Sequence, residues 1–258
     1  MACSFCVGPA NLDLELEGYA HTTQALAQAF CEGFPVRTDQ DWWHARLVAG
    51  PGASSHRGGK TLALGPVTDQ GTLVYPELPG QPLRHGAPRT ILHGIMGLSA
   101  HFLRRRGDRL AHAAGRYLPG YGALVAIGLS GAGKSTLTAA LGGDELGDEA
   151  LALSSADRSL HAQACLVPGE RLPTFWDRVP VAALLLPAHE QVTSIERVDG
   201  YDAHVALANA LIRLRGDDLF DDLDWAYDAL RQTPVLRVGW SLDHSPVDAI
   251  QRVLDAAR

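Results

Sequence analysis

Apolar positions along the chain change their period several times, and each change marks an element. Residues 22–33 (TTQALAQAFCEG) put Leu26, Ala29 and Phe30 on one helical face and end at Gly33, which predicts a short helix. From Phe34 to about Gly80 the pattern is strand-like in the segments RLVAG, KTLALG and GTLVYP, with Gly and Pro breaking it repeatedly. Segment 89–106 returns to helical spacing through Ile91, Ile95, Leu98 and Phe102. Arg104, Arg105 and Arg106 close that helix before Gly107. They supply favourable charge at a helix C-terminus, and the glycine can take a left-handed cap.

Beyond that point the character changes. Residues 109–118 and 122–127 predict two strands joined by the turn Pro119-Gly120-Tyr121. A short helix follows at 134–141, then a strand region near 150–153, a hairpin region to about 168 and an apolar strand at 181–186 (VAALLL). Helices at 200–215 and 217–231, a strand at 234–238 and a helix at 246–257 complete the pattern. Strands alternating with helices define the class as α/β. The change of character sets a boundary near 107, between a small α+β N-terminal region (1–107) and a larger domain over 108–258.

Composition narrows the choices. With 258 residues, 46% hydrophobic and 20% charged, the chain can fill one large domain or two small ones. A net charge of −7 lacks the electrostatic footprint of a nucleic-acid binder. No apolar run approaches the ~20 residues of a membrane span. Met1 to Cys6 carry no charged start or apolar stretch of a secretory signal, so no membrane partner and a cytoplasmic location are expected. Cys3 and Cys6 form a C-x-x-C pair without two further zinc ligands at matching spacing, and are read as frayed terminal thiols. The acidic cluster Asp217, Asp218, Asp221, Asp222 and Asp224 is read as carboxylates favoured by the dipole at a helix start.

Of the 22 basic residues only Lys60 and Lys134 are lysines, and Lys134 falls in a specific place. Gly128-Leu129-Ser130-Gly131-Ala132-Gly133-Lys134-Ser135 matches G-x-x-x-x-G-K-[ST] after an apolar strand and at the start of a helix. Gly128, Gly131 and Gly133 permit backbone conformations closed to other residues, so that successive N–H groups can surround phosphates. Lys134 would place a point charge on the β- and γ-phosphates, and the Ser135 hydroxyl would ligate Mg²⁺. The stretch from Gly128 to Thr136, with Ser130 and Ala132 between its glycines, is therefore the expected nucleoside triphosphate site. The bland alternative is a glycine-rich turn without a ligand. A loop of this kind does not by itself name a reaction, because ATPases, GTPases, transporters and kinases share it.

Its surroundings are more specific. The downstream apolar strand runs into Pro187-Ala188-His189-Glu190 and ends in no Asp. Asp148 and Glu149 instead lie just past the short helix, and His112 precedes the strand that enters the loop. The stretch from Leu110 to Leu153, LAHAAGRYLPGYGALVAIGLSGAGKSTLTAALGGDELGDEALAL, resembles the HPr kinase/phosphorylase family and its shorter relatives, the HPr-kinase-related or lasso-peptide kinases. The resemblance spans roughly residues 108–245. It implies a nucleotide core similar to that of phosphoenolpyruvate carboxykinase, with ATP and Mg²⁺ as cofactors and a homo-oligomer by analogy with hexameric relatives. Their acidic pair is usually Asp-Asp; here the second member is Glu149.

Carried over by position, the resemblance makes Asp148 the general base toward an attacking hydroxyl. It makes Glu149, with Asp148 and Ser135, part of the Mg²⁺ shell, and puts His112 and Lys134 beside the transferring phosphoryl group. For His112 the alternative is a satisfied strand histidine, and for the acidic pair solvated turn carboxylates. The expected activity is an ATP-dependent kinase acting on an alcohol, with a serine hydroxyl of a peptide or protein as acceptor. A free serine or sugar-like alcohol, and a P-loop ATPase or switch with no organic acceptor, stay open as alternatives.

Overall fold

A computed structural model describes residues 2–7, 10–17, 19, 24, 41–49, 72–75, 89–165, 171–214, 217–241 and 246–256. The predicted helix at 22–33 and the segment KTLALG fall outside these residues, apart from helical Gln24. The described chain is mixed α/β. A four-stranded sheet in the order β1-β2-β3-β4 is built from Ala2–Val7, Ala10–Glu17, Asp41–Ala49 and Thr72–Tyr75. β1 and β2 pair antiparallel, whereas β2, β3 and β4 run parallel.

The first two strands correct one expectation. Cys3 and Cys6 are paired into β1, opposite Leu14 and Asn11, and do not fray. Strand β2 shows why it forms. Leu12, Leu14 and Leu16 are buried, while Asp13, Glu15 and Glu17 point the other way, the period-two alternation of a half-buried sheet. On the outer face Arg46 meets Glu15 at 3.1 Å and Glu17 at 3.6 Å.

Helix α1 (Arg89–Arg105) carries Leu92, Ile95, Met96, Leu98 and Leu103 into the space behind this sheet. Phe102 stacks on Trp43 with ring centroids 5.1 Å apart. Gly107 follows at φ +84°, the expected left-handed terminator. The apolar cluster formed here continues across residue 107. It takes in Leu110, Ala150, Ala152, Cys165, Ile212 and Leu214 together with the leucines of β2 and β3.

Among the described residues the second sheet has nine strands. Its path runs β5 (Arg109–Ala111), β9 (Leu151–Ala156), β10 (Ser159–Ala164), β11 (Val179–His189), β7 (Gly122–Ile127), β6 (Ala113–Leu118) and β8 (Asp144–Gly147). β13 (Val235–Trp240) joins β11 in parallel, and β12 (Ser194–Val198) pairs with β13. Every residue of β7 is buried, because its two faces belong to two cores. Ala123, Val125 and Ile127 pack with α3 (Tyr201–Ala210) and α4 (Leu219–Ala229). Leu124 and Ala126 pack with α2 (Lys134–Leu141) and α5 (Val247–Ala256). A strand covered on both sides is why this segment reads as a continuous apolar run.

Several predicted boundaries are redrawn by long-range pairing. The strand expected over 109–118 is interrupted at His112, because 109–111 pair with β9 whereas 113–118 pair with β7 and β8. The helix expected to 215 stops at Ala210, because Ile212 donates its N–H to Leu110 O at 2.7 Å and Leu211 bridges to Ala111. β11 extends to His189 rather than ending at 186. The hairpin after 150 is β9-β10, turned at Asp157 and Arg158, both with positive φ.

The acidic cluster is also more than a dipole effect. Asp218 caps α4 by accepting from the Phe220 N–H at 2.9 Å. Asp222 is fully buried and accepts from Arg104 at 2.7 Å, Arg109 at 2.9 Å and Arg213 at 2.9 Å.

The turn leading into β8 places Gly143 at φ +75°, where an added Cβ would collide with Tyr117 O. Gly143→Ala should therefore cost about 1–3 kcal/mol of stability. An unchanged denaturant midpoint would contradict this account.

Candidate functional site

The loop 128–133 leaves β7 at its carboxyl end and delivers the chain into α2. Gly128, Gly131 and Gly133 adopt φ of +141°, +79° and +89°, in the range that favours glycine. Gly133 stands at the N-cap with no side-chain capping bond, and the first turn of α2 carries no acidic residue. The open end of the helix dipole is thus presented through a glycine loop without a carboxylate of its own to answer it. Within the loop Ala132 N–H donates to Leu129 O at 3.1 Å, which closes the turn around Ser130.

Lys134 is buried and folds back over the loop, donating to Gly128 O at 3.1 Å and Leu129 O at 2.9 Å. Burial lowers its pKa from the ordinary lysine value, and the Glu149 carboxylate opposes that shift. The Ser135 hydroxyl donates to Asp148 O at 3.3 Å. Thr136, next along the helix, is exposed.

The acidic pair sits directly after β8, which runs antiparallel to β6 and brings 148–149 back to the loop. Asp148 is buried and accepts the Arg171 N–H at 3.2 Å. Glu149 is half-buried. Burial raises its carboxyl pKa, Lys134 opposes the rise and Asp148 adds to it. His112 occupies the break between β5 and β6, with its N–H on Ala210 O at 2.7 Å. Its ring Nδ1 lies 3.0 Å from Glu149 O and 3.5 Å from Glu149 Oε1. The sequence-nominated residues His112, Lys134, Ser135, Asp148 and Glu149 therefore meet at one end of β7, although they come from three separate segments.

Burial lowers the His112 pKa, the Lys134 ammonium lowers it further, and the Glu149 carbonyl works against both. Folded His112 thus favours the neutral ring. Its contribution to stability is present above the ordinary 6.5 and lost as pH falls through the folded value. A ring-proton NMR titration should give a His112 midpoint below 6.5; a midpoint at or above that value would contradict its burial.

Arg171 is the residue that sequence reasoning missed. Its backbone holds Asp148, its guanidinium donates to Ser135 O, and its Nη1 lies 3.4 Å from Glu145. Glu145 also pairs with Arg116 at 2.8 Å; burial raises its pKa, and the two arginines oppose the rise. The one signal in the sequence was a lone arginine in a turn-rich stretch, with nothing local to distinguish it.

Among the described residues no group of three or more His, Cys, Asp or Glu side chains is arranged to hold a metal by itself. No described helix is long and apolar enough to cross a membrane. No family model matches the chain, and no curated protein is significantly similar to it. What the geometry defines is a mixed α/β protein with an uncapped helix start, a lysine, a serine and two carboxylates gathered beneath one glycine loop.

Proposed function

We propose that the chain is an ATP- and Mg²⁺-dependent kinase with a P-loop core like that of the HPr-kinase-related enzymes, and that it transfers the γ-phosphoryl group to a serine hydroxyl of a peptide or protein. The reading is carried by the convergence of the glycine loop and Lys134 with Asp148, Glu149 and His112 at the carboxyl end of β7. The uncapped N–H groups of α2 and the loop backbone bind the phosphate chain, as a helix start does for any anion. Lys134 exchanges its two loop carbonyls for phosphate oxygens.

Ser135 and Glu149, with Asp148 beside them, are the oxygens that would hold Mg²⁺. When bound, the ion neutralises charge on the β- and γ-phosphates. Asp148, oriented by Arg171, takes the proton of the attacking alcohol. Neutral His112 offers a hydrogen bond at the transferring group without adding a second cation to Lys134.

The direct test is incubation with γ-labelled ATP, Mg²⁺ and parallel pools of serine peptides, free serine and polyols. Label in peptides supports the reading. Label only in small molecules moves the acceptor to that class, and steady ATP hydrolysis with no labelled acceptor overturns the kinase assignment. Lys134→Ala should lower ATP affinity by about 10–100-fold in calorimetry, the value of one charged hydrogen-bond donor. Wild-type affinity in that variant would remove the loop from nucleotide binding.

A further inference from the structure

A cleft of about 440 Å³ opens beside the loop, lined by Thr136, His189, Glu190, Gln191, Trp240 and Ser241. It lies at the carboxyl ends of two parallel strands, since His189 ends β11 and Trp240 ends β13. The carboxyl ends of parallel strands are where open α/β sheets bind their ligands, and the volume is that of a small-molecule site. The cleft abuts the glycine loop directly. A Cβ on Gly133 would come within 3.3 Å of His189 Cε1, and Thr136 belongs to the first turn of α2.

The polar groups of the cleft are arranged for an uncharged, hydroxyl-bearing ligand. Glu190 accepts from the Ser194 hydroxyl at 2.6 Å, and its backbone N–H donates to Trp240 O at 3.2 Å, so Ser194 holds its carboxylate and β13 holds its backbone. His189 and Gln191 are exposed at the rim. Trp240 is buried in the wall, and its Nε1 has no hydrogen-bond partner among the described residues. Among the described residues no lysine or arginine lines the cleft.

Direction along the loop decides the occupant. Lys134 interacts with Glu149, and His112 touches that same residue, so on the phosphate-loop reading the terminal phosphoryl group would lie on their side. The α-phosphate end would then face Thr136 and the cleft. We propose that the cleft is the nucleoside subsite: base and ribose of a ribonucleoside triphosphate lie between His189 and Trp240, and the Glu190 carboxylate accepts hydrogen bonds from the ribose hydroxyls. The proposal rests on the phosphate-loop reading and goes beyond it by assigning His189 and Glu190 as specificity-determining residues.

The test compares three probes with Mg²⁺ by calorimetry on the full chain: ATP, 2′,3′-dideoxy-ATP and inorganic tripolyphosphate. Wild-type protein should bind ATP about tenfold or more tighter than tripolyphosphate. Glu190→Ala and His189→Ala should each lower ATP affinity about tenfold and leave tripolyphosphate within about twofold. Dideoxy-ATP should bind the wild type as weakly as ATP binds Glu190→Ala, a comparison that needs no variant to fold for its first half. ATP no tighter than tripolyphosphate overturns the subsite, as do variants that change both probes equally or neither. Dideoxy-ATP matching ATP on the wild type overturns the role of Glu190. If the wild type binds neither ATP nor tripolyphosphate, the phosphate-loop reading has failed, and the subsite with it.

Discussion

Asp148→Asn should slow phosphoryl transfer by about 10²–10⁴-fold, the span of a lost general base, while ATP affinity stays within about tenfold. The separation follows from the environment of the side chain. Asp148 is buried, and its carboxylate accepts the Arg171 N–H at 3.2 Å, a bond that an asparagine carbonyl can also accept. The replacement therefore keeps shape and orientation and removes the proton acceptor. The groups proposed to bind phosphate, the loop amides and Lys134, are untouched by the change. Single-turnover transfer from labelled ATP, paired with calorimetry, reads the two quantities apart. Transfer near the wild-type rate would assign the base to another group.

Asp222→Ala should destabilise the fold by about 3–5 kcal/mol, the cost of stripping one partner from a buried charge network. Asp222 has no exposed surface, and three guanidinium groups converge on its two oxygens at 2.7 to 2.9 Å. Arg109 is itself largely buried; burial pulls its pKa down and Arg104 adds to that, while the hydrogen bond and charge of Asp222 oppose the fall. Without the carboxylate, three cations of α1, β5 and the 211–214 segment face one another in a space that water reaches poorly. The melting temperature should fall on the order of 10 °C. Asp222→Asn should lie between the two, since it keeps hydrogen-bond acceptance and loses charge. A melting temperature unchanged in the alanine variant would show that Arg104 and Arg109 are satisfied elsewhere.

These two residues also mark what could be read in advance. The loop, Asp148 and the helix between them form one contiguous stretch whose residue types are dictated by local conformation. The pattern of glycines and the apolar run of β7 announced the loop and its helix, whereas Asp148 was singled out by the resemblance of the stretch 110–153. Helix α1 was legible for the same reason, since its stripe is long and ends in arginines and a glycine. Asp222 was legible only as one acid among five, because its partners stand 9, 113 and 118 residues away in the chain. Arg171 reaches Ser135 across 36 residues. Pairing decided at such range also split the strand at His112 and stopped α3 at Ala210. Strand β2 is a different case: the alternation of Leu12, Leu14 and Leu16 with acids was present in the sequence and is an ordinary signature of a half-buried strand.

The apolar cluster that crosses residue 107 sets terms on how the N-terminal half can vary. Ala150, wholly buried, follows Glu149 directly in the chain and rests against the same leucines that β2, β3 and α1 contribute. The carboxylate pair is thus mounted on the N-terminal sheet, as a lens is mounted on its barrel. Substitutions on the outer face, at Asp13, His44 or Arg46, alter exposed ion pairs and leave that seat alone. Substitutions that change the volume of Leu14, Leu47 or Leu98 move the seat. The half of the chain that carries none of the nominated chemistry therefore sets the focus of the half that does.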